Sequence, residues 1–191
     1  MKEKNTPPVA STTGRLVERA YKNACDHGFH PQGQHDQQLR LLIICEVAEL
    51  VEADRKNSIA DVWAFLNRTS VWPDFAERYN AYIKGSVEEE YADICIRLYD
   101  YLGWIKEGSL SGPIENIPFR EETTEKAWSD VPFDSFCIFL CSRFAGAFDP
   151  RVMLKIIYAY AYTHGITDLY NHILWKMEYN ETRPYKHGKK Y

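Results

Sequence analysis

Apolar residues recur at intervals of three and four over most of the chain, a pattern typical of α-helices that pack on one another. Between 36 and 56 the repeating apolar positions are Leu39, Leu42, Ile43, Val47, Leu50 and Val51. After Ser86 they are Tyr91, Ile94, Cys95, Leu98 and Leu102. These patterns predict one long helix over 36–56 and another from Ser86 to about 106.

Capping residues, Gly and Pro predict where the helices begin and end. Ser86 is expected to be an N-cap, with Glu89 in the position of a capping box. Thr13 and Thr167 are expected to cap two other helices, and Pro150 suits a first helical turn. The remaining predicted helices cover 14–26, 133–146, 150–164 and 167–180.

Two segments lack a clear helical pattern. Residues 57–85 are ambiguous and could form a pair of short helices around Pro73, whereas 108–132 are rich in Gly, Pro, Ser and charge and are interpreted as a connector. No stretch alternates with the period of two that β-strands show. The chain is therefore predicted to be a single all-α domain over 1–191, built as a helical bundle.

Composition narrows the class of protein. The chain has 191 residues, of which 45% are hydrophobic, enough for a sizeable core. No apolar run approaches the ~20 residues that span a bilayer, so no membrane partner is expected. The polar stretch from Met1 has no apolar signal core either, so a cytoplasmic protein is expected. Five cysteines, an odd number and mostly within apolar stretches, argue against a disulfide framework. The net charge of -4 argues against a stable nucleic-acid partner.

Carboxylates one turn apart interrupt both long helices. The first helix carries Glu46 and Glu49, followed by Glu52, and the second carries Glu90 and Asp93. Because neighbouring carboxylates repel, a half-buried pair should have a cation beside it. If the two helices lie antiparallel, the pairs supply four converging oxygen ligands, a set that suits Mg²⁺ or Mn²⁺. The alternative is that each strip is the solvated edge of an amphipathic helix.

Two other metal chemistries fit the sequence less well. A di-iron bundle uses Glu-x-x-His, and no Glu of this chain has His three residues later. Zinc bound by Cys25, His27, His30 and His35 is conceivable, but their spacing matches no common zinc site. Mg²⁺ is therefore the expected cofactor, with Mn²⁺ as a substitute.

The C-terminal part of the chain is basic, with five basic and two acidic residues between 176 and 191. Lys176, Asn180 and Arg183 are spaced to share one face of a helix that persists that far. Such cations, together with Lys186, suit phosphate oxygens, and Tyr185 could stack on a nucleobase. The alternative is an ordinary solvated C-terminus.

Together these motifs resemble the MazG-like all-α nucleoside triphosphate pyrophosphohydrolases. The family pattern is Glu-Glu-x-x-Glu followed by Glu-x-x-Asp, and its acids bind Mg²⁺. The segments that carry the resemblance are Cys45-Glu46-Val-Ala-Glu49, Glu90-Tyr-Ala-Asp93 and the ending from Lys176 to Tyr191. Cys45 stands in the place of the first Glu, which leaves four metal ligands, and residues 57–85 look like an insertion. The metal-binding helices would lie within 14–107, and further helices and the basic tail within 133–191.

The resemblance also implies roles for individual residues. The metal ligands would be Glu46, Glu49, Glu90 and Asp93. We expect Glu49 or Glu52 to be the general base. The groups that bind the substrate would be Lys176, Asn180, Arg183, Tyr185 and Lys186.

The implied reaction is hydrolysis of a (d)NTP to the (d)NMP and pyrophosphate, with nucleotide-pool house-cleaning as its use. A homodimer is expected, since family members commonly assemble the bundle from two chains. Two alternatives stay open. The protein could sense nucleotides without cleaving them, or it could be a helical interaction protein whose acidic strips bind a basic partner.

Overall fold

The computed structural model describes residues 12–30, 35–71, 73–109 and 114–185, in which every regular element is an α-helix. The helices are α1 (Thr12–Asp26), α2 (Asp36–Arg55), α3 (Val62–Asn67), α4 (Phe75–Tyr82), α5 (Val87–Ser109), α6 (Glu122–Trp128), α7 (Phe133–Ala145), α8 (Pro150–Thr163) and α9 (Leu169–Glu181). The all-α prediction is confirmed for this part of the chain. Lys186 lies outside the described residues.

The longest helix, α5, lies at the centre of the bundle and contacts α1, α2, α8 and α9. Its predicted apolar positions are all buried, namely Tyr91, Ile94, Cys95, Leu98 and Leu102. The apolar face of α2 packs on α5 and on α7. Because α5 has neighbours on several sides, its polar residues also point toward other helices, which gathers charged side chains between the helices.

The N-terminus of α5 is capped by Ser86 as predicted, but the Glu89 carboxylate reaches the backbone N–H of Gly85 instead of that of Ser86. The backbone N–H of Glu89 donates to Ser86 Oγ over 3.2 Å. The Glu89 carboxylate in turn accepts a hydrogen bond from the backbone N–H of Gly85. Gly85 has a φ of +75°, a left-handed conformation that favours glycine, so the chain can turn sharply into the helix.

Residues 57–85 contain the pair of short helices, α3 and α4, on either side of Pro73. Phe65 of α3 and Tyr79 of α4 are buried against α9. The Tyr79 ring stacks on Tyr179 with centroids 4.5 Å apart. The segment therefore forms a small second core beside the start of α5.

Three local predictions are corrected. Thr13 lies inside α1 rather than at its cap, where its hydroxyl accepts a hydrogen bond from the backbone N–H of Ile117 over 2.8 Å. Helix α9 starts at Leu169, so Thr167 does not cap it. The predicted connector contains α6, which packs on α8. The contact of Thr13 with Ile117 and the packing of α6 on α8 are tertiary contacts that override a local preference.

Among the described residues, no helix is both long enough and apolar enough to span a membrane. None of the five cysteines, all of which lie in the described ranges, forms a disulfide. Cys95 and Cys137 are buried as small apolar groups and Cys141 is half-buried, whereas Cys25 and Cys45 are exposed.

Candidate functional site

A cavity of about 290 Å³ opens where α1, α2, α5 and α9 meet. Its polar lining combines six acidic and four basic side chains, which are Glu46, Glu49, Glu89, Glu90, Asp93, Asp100, Lys84, Arg97, Lys176 and Arg183. Its apolar lining comes mainly from Ala20, Ala24, Phe29 and Ile96. The cavity therefore combines a charged part with a surface suited to an apolar group.

Antiparallel packing of α2 and α5 brings the two predicted acid pairs to this cavity. Asp36 near the start of α2 accepts a hydrogen bond from Tyr101, and Glu46 further along contacts Arg97, so the two helices run in opposite directions. One oxygen from each of Glu46, Glu90 and Asp93 lies within 4.8 Å of the others.

These three carboxylates are poorly solvated. Glu46 and Glu90 are 7% and 6% exposed, and Glu90 Oε2 is buried without a hydrogen-bond partner among the described residues. Burial raises the pKa of Glu90 to about 8, with repulsion from Asp93 and Glu89 adding to the effect. Burial likewise raises the pKa of Asp93 to about 7, although Lys176 opposes the shift.

Two cations meet the expectation that positive charge should lie beside these acids. Arg97 Nε lies 2.8 Å from Glu46 Oε1. Lys176 Nζ lies 2.5 Å from Glu89 Oε1 and 2.7 Å from Asp93 Oδ2. Although burial lowers it, the pKa of Lys176 is raised above its ordinary value by Asp93 and Glu89. The lysine predicted to bind phosphate is therefore already engaged by carboxylates.

The two predicted general bases are placed differently. Glu49 is exposed, lines the cavity and has no ion-pair partner among the residues that the structure describes. Glu52 lies on another side of α2, where it pairs with Arg55 over 2.9 Å and Lys56 over 3.2 Å. The structure does not bring Glu52 to the cavity, so Glu49 is the one of the two candidate bases that lines it.

The predicted substrate-binding residues are brought together only in part. Lys176, Asn180 and Arg183 line the cavity, and Asn180 Oδ1 is buried without a hydrogen-bond partner in the described part of the chain. Tyr185 is 67% exposed and is not among the lining residues. Its ring lies against Gly28, where a Cβ would come within 2.2 Å of the tyrosine hydroxyl.

Sequence reasoning assigned Glu89 only to the helix cap, yet its carboxylate also binds Lys176 inside the cavity. Its position four residues before Asp93, on the same helix face, was the available signal. The sequence also did not predict the contact between His30 and Asp100. The Nε2 atom of His30 lies 2.6 Å from Oδ1 of Asp100. Burial raises the pKa of Asp100, and the contact with His30 opposes the shift. No sequence signal links these two residues, because they lie 70 positions apart.

The lining residues fit a hard divalent cation. Three clustered carboxylates supply oxygen ligands of the kind that Mg²⁺ and Mn²⁺ prefer, and the unpaired Oε2 of Glu90 is an acceptor in need of a cation or donor. Within the described ranges neither His nor Cys lines the cavity, so its ligands do not suit zinc.

No protein-family model matches the chain, and neither the curated proteins nor the solved structures include a match to it.

Proposed function

We propose that this protein is a Mg²⁺-dependent nucleoside triphosphate pyrophosphohydrolase of the MazG-like type, which converts a (d)NTP to the (d)NMP and pyrophosphate. The observation that carries the proposal is the convergence of Glu46, Glu90 and Asp93 in a cavity that also contains Lys84 and Arg183. A triphosphate requires such a combination, because its oxygens bind both metal ions and basic side chains.

In this proposal Glu46, Glu90 and Asp93 hold the cation. Bound there, Mg²⁺ or Mn²⁺ would neutralise phosphate charge and lower the pKa of a coordinated water. Arg97 keeps Glu46 oriented through its 2.8 Å contact. The four helices around the cavity limit the access of bulk water, which strengthens the electrostatic interactions inside it.

The phosphate chain is assigned to Lys84 and Arg183. Both line the cavity, and neither belongs to an ion pair among the described residues. Lys84 Nζ approaches the Tyr179 hydroxyl at 3.4 Å, which directs the lysine toward α9. Lys186 extends the same basic segment and stays a predicted phosphate ligand.

The nucleoside is assigned to the apolar lining and to Asn180. Phe29, Ala24 and Ile96 offer contact surface for a base. The unpaired Oδ1 of Asn180 is an acceptor suited to a sugar hydroxyl. Tyr185 is outside the cavity lining and would need to move to stack on the base.

Glu49 is assigned as the general base. Its carboxylate accepts a proton from the attacking water as the α–β anhydride is cleaved and pyrophosphate leaves. An exposed carboxylate without a bound cation retains the acceptor capacity that this step needs.

A panel of (d)NTPs assayed with Mg²⁺ for pyrophosphate release tests the proposal. Glu46→Gln and Glu49→Gln should each lower kcat by at least about 100-fold, the usual size of a general-base or electrostatic contribution. Glu52→Gln is the matched control on the same helix and should keep the wild-type rate. Nucleotide binding without turnover of any substrate would instead favour a nucleotide sensor. The feature that supports this alternative is Cys45, which stands where the family pattern has its first Glu.

A helical interaction protein would show neither nucleotide turnover nor stabilisation by divalent ions. By contrast, a ligand bound specifically to the folded state at 100 times its Kd adds about 2.7 kcal/mol to the free energy of unfolding. Thermal unfolding with and without Mg²⁺ therefore separates this alternative from the two nucleotide-binding ones.

We also propose that the chain forms a homodimer in the cytoplasm. A groove of about 610 Å³ between α2 and α7 is lined largely by apolar side chains, and Ile138 at its edge is 70% exposed. Exposed apolar patches of this kind are typical of protein interfaces. That none of the five cysteines is in a disulfide is compatible with a reducing compartment.

A further inference from the structure

A buried lysine is held directly against the candidate metal ligands. Lys176 is 6% exposed, and its ammonium contacts both Glu89 and Asp93. Glu89 is itself 2% exposed and is fixed at the start of α5 by the backbone N–H of Gly85. The lysine and Glu89 therefore form a rigid ion pair on one side of Asp93.

Two oxygens of the same cavity lack any partner among the described residues. They are Glu90 Oε2 and Asn180 Oδ1, and both residues are more than nine-tenths buried. A buried acceptor without a donor carries an unrecovered desolvation cost. A bound cation would therefore be stabilised most near Glu90. The space between Glu89 and Asp93 already holds the positive charge of the Lys176 ammonium.

Charge balance points in the same direction. Apart from Asp100, which pairs with His30, the cavity is lined by five carboxylates and by two cations that form ion pairs with them; the acids are Glu46, Glu49, Glu89, Glu90 and Asp93 and the cations Arg97 and Lys176. A bound metal keeps its carboxylate ligands deprotonated, so this group then carries five negative and two positive charges. One divalent ion leaves it with a single negative charge, and a second would make it positive even without the two further cations of the lining, Lys84 and Arg183. Because like charges a few ångströms apart repel strongly in a poorly solvated cavity, a second ion beside Lys176 is disfavoured.

We propose that Lys176 is a built-in cation that limits the cavity to one divalent ion. It occupies the place between Glu89 and Asp93 that a second ion would otherwise take, and the single ion binds to Glu46, Glu90 and the carboxylate oxygen of Asp93 that does not contact the lysine. The inference rests on the metal site of the proposed function but does not depend on which reaction the site performs. Lys176 is thus a positioning residue that acts through Asp93.

Titration of the full chain with Mn²⁺, followed by the electron paramagnetic resonance signal of free Mn²⁺, tests this inference without nucleotide. The wild-type protein should bind one ion per chain, and Lys176→Met should bind two. Lys84→Met is the matched control, since it removes the same charge from an exposed lining residue, and it should bind one ion. The double variant Lys176→Met, Glu89→Gln should also bind one, because the second place has lost its charged ligand.

Each other outcome overturns the inference. Two ions in the wild type, or one ion with unchanged affinity in Lys176→Met, would show that the lysine does not exclude a cation. If Lys176→Met folds only in the presence of Mn²⁺, the folded variant should still bind two ions per chain. If the variant fails to fold at any Mn²⁺ concentration, a second ion cannot replace the lysine ammonium, which contradicts the inference. Absence of Mn²⁺ binding to the wild type would overturn the proposed function as well, whereas one ion without pyrophosphate release would overturn the proposed function alone.

Discussion

The raised pKa of Glu90 predicts an unusual dependence of stability on pH in the metal-free protein. Its pKa is about 8 in the folded state, against an ordinary value of 4.5. The folded protein therefore binds a proton between these values that the unfolded chain does not, so this group stabilises the fold at low pH. The stabilisation is lost as the pH rises through 8.

The size of the effect follows from the same values. At pH 6 the folded protein keeps Glu90 protonated, and at pH 8 about half of the molecules have lost the proton. With one pKa unit equal to about 1.4 kcal/mol, Glu90 stabilises the protein by roughly 2 kcal/mol more at pH 6 than at pH 8. Glu90→Gln keeps the shape of the side chain and removes its titration.

Urea unfolding in EDTA, followed by circular dichroism at pH 6 and pH 8, measures this effect in both proteins. The free energy of unfolding of the wild type should fall by about 2 kcal/mol more than that of Glu90→Gln. Titrating groups that do not interact with Glu90 affect both proteins and cancel in the comparison, whereas the repulsion between Glu90 and Asp93 is part of the measured effect. An identical pH dependence, or a wild type that gains stability relative to the variant, would refute the reasoning.

Three further predictions concern the core, the substrate and the interface. Leu98→Ala removes a fully buried side chain from α5 and should cost about 2–5 kcal/mol in urea unfolding, and a loss below about 1 kcal/mol would contradict the packing of this helix. Arg183→Ala should raise KM in the pyrophosphate-release assay more than it lowers kcat, and an unchanged KM would remove this residue from the phosphate site. Ile138→Glu should convert the proposed dimer to a monomer in light scattering, and a wild type that is already monomeric would exclude the α2–α7 interface.

The long helices were predictable because their pattern is local. The spacing of apolar residues determines which face of α2 and of α5 is buried. Ser86 marks the start of α5 because it accepts a hydrogen bond from Glu89, only three residues later in the chain. The short helix α6 was not predictable in the same way. It has seven residues, five of them polar, and its place is set by packing against α8.

The acid pairs were predictable for a similar reason, since one-turn spacing places two carboxylates on one helix face. That a cation should accompany them also followed from the sequence. The identity of these cations could not be predicted from the sequence. Lys176 and Glu89 are 87 positions apart and meet only when α9 packs on α5.

The orientation of α2 about its axis determines which of Glu49 and Glu52 lines the cavity, and this too is a tertiary property. Glu46, Glu49 and Glu52 are spaced by three residues, so each lies about 60° further around the helix than the one before. Glu49 still reaches the cavity at this drift, and Glu52 does not. Sequence spacing alone does not show where along such a strip the contact with α5 ends.

A crystal structure with Mn²⁺ and a nucleoside triphosphate analogue that resists α–β cleavage would test the account most directly, with the anomalous signal locating the ion. The account predicts an anomalous peak in coordination contact with Glu46, Glu90 and Asp93 and with phosphate oxygens, while Lys176 stays between Glu89 and Asp93. A nucleotide bound elsewhere, or Mn²⁺ bound without any of these three carboxylates, would contradict it.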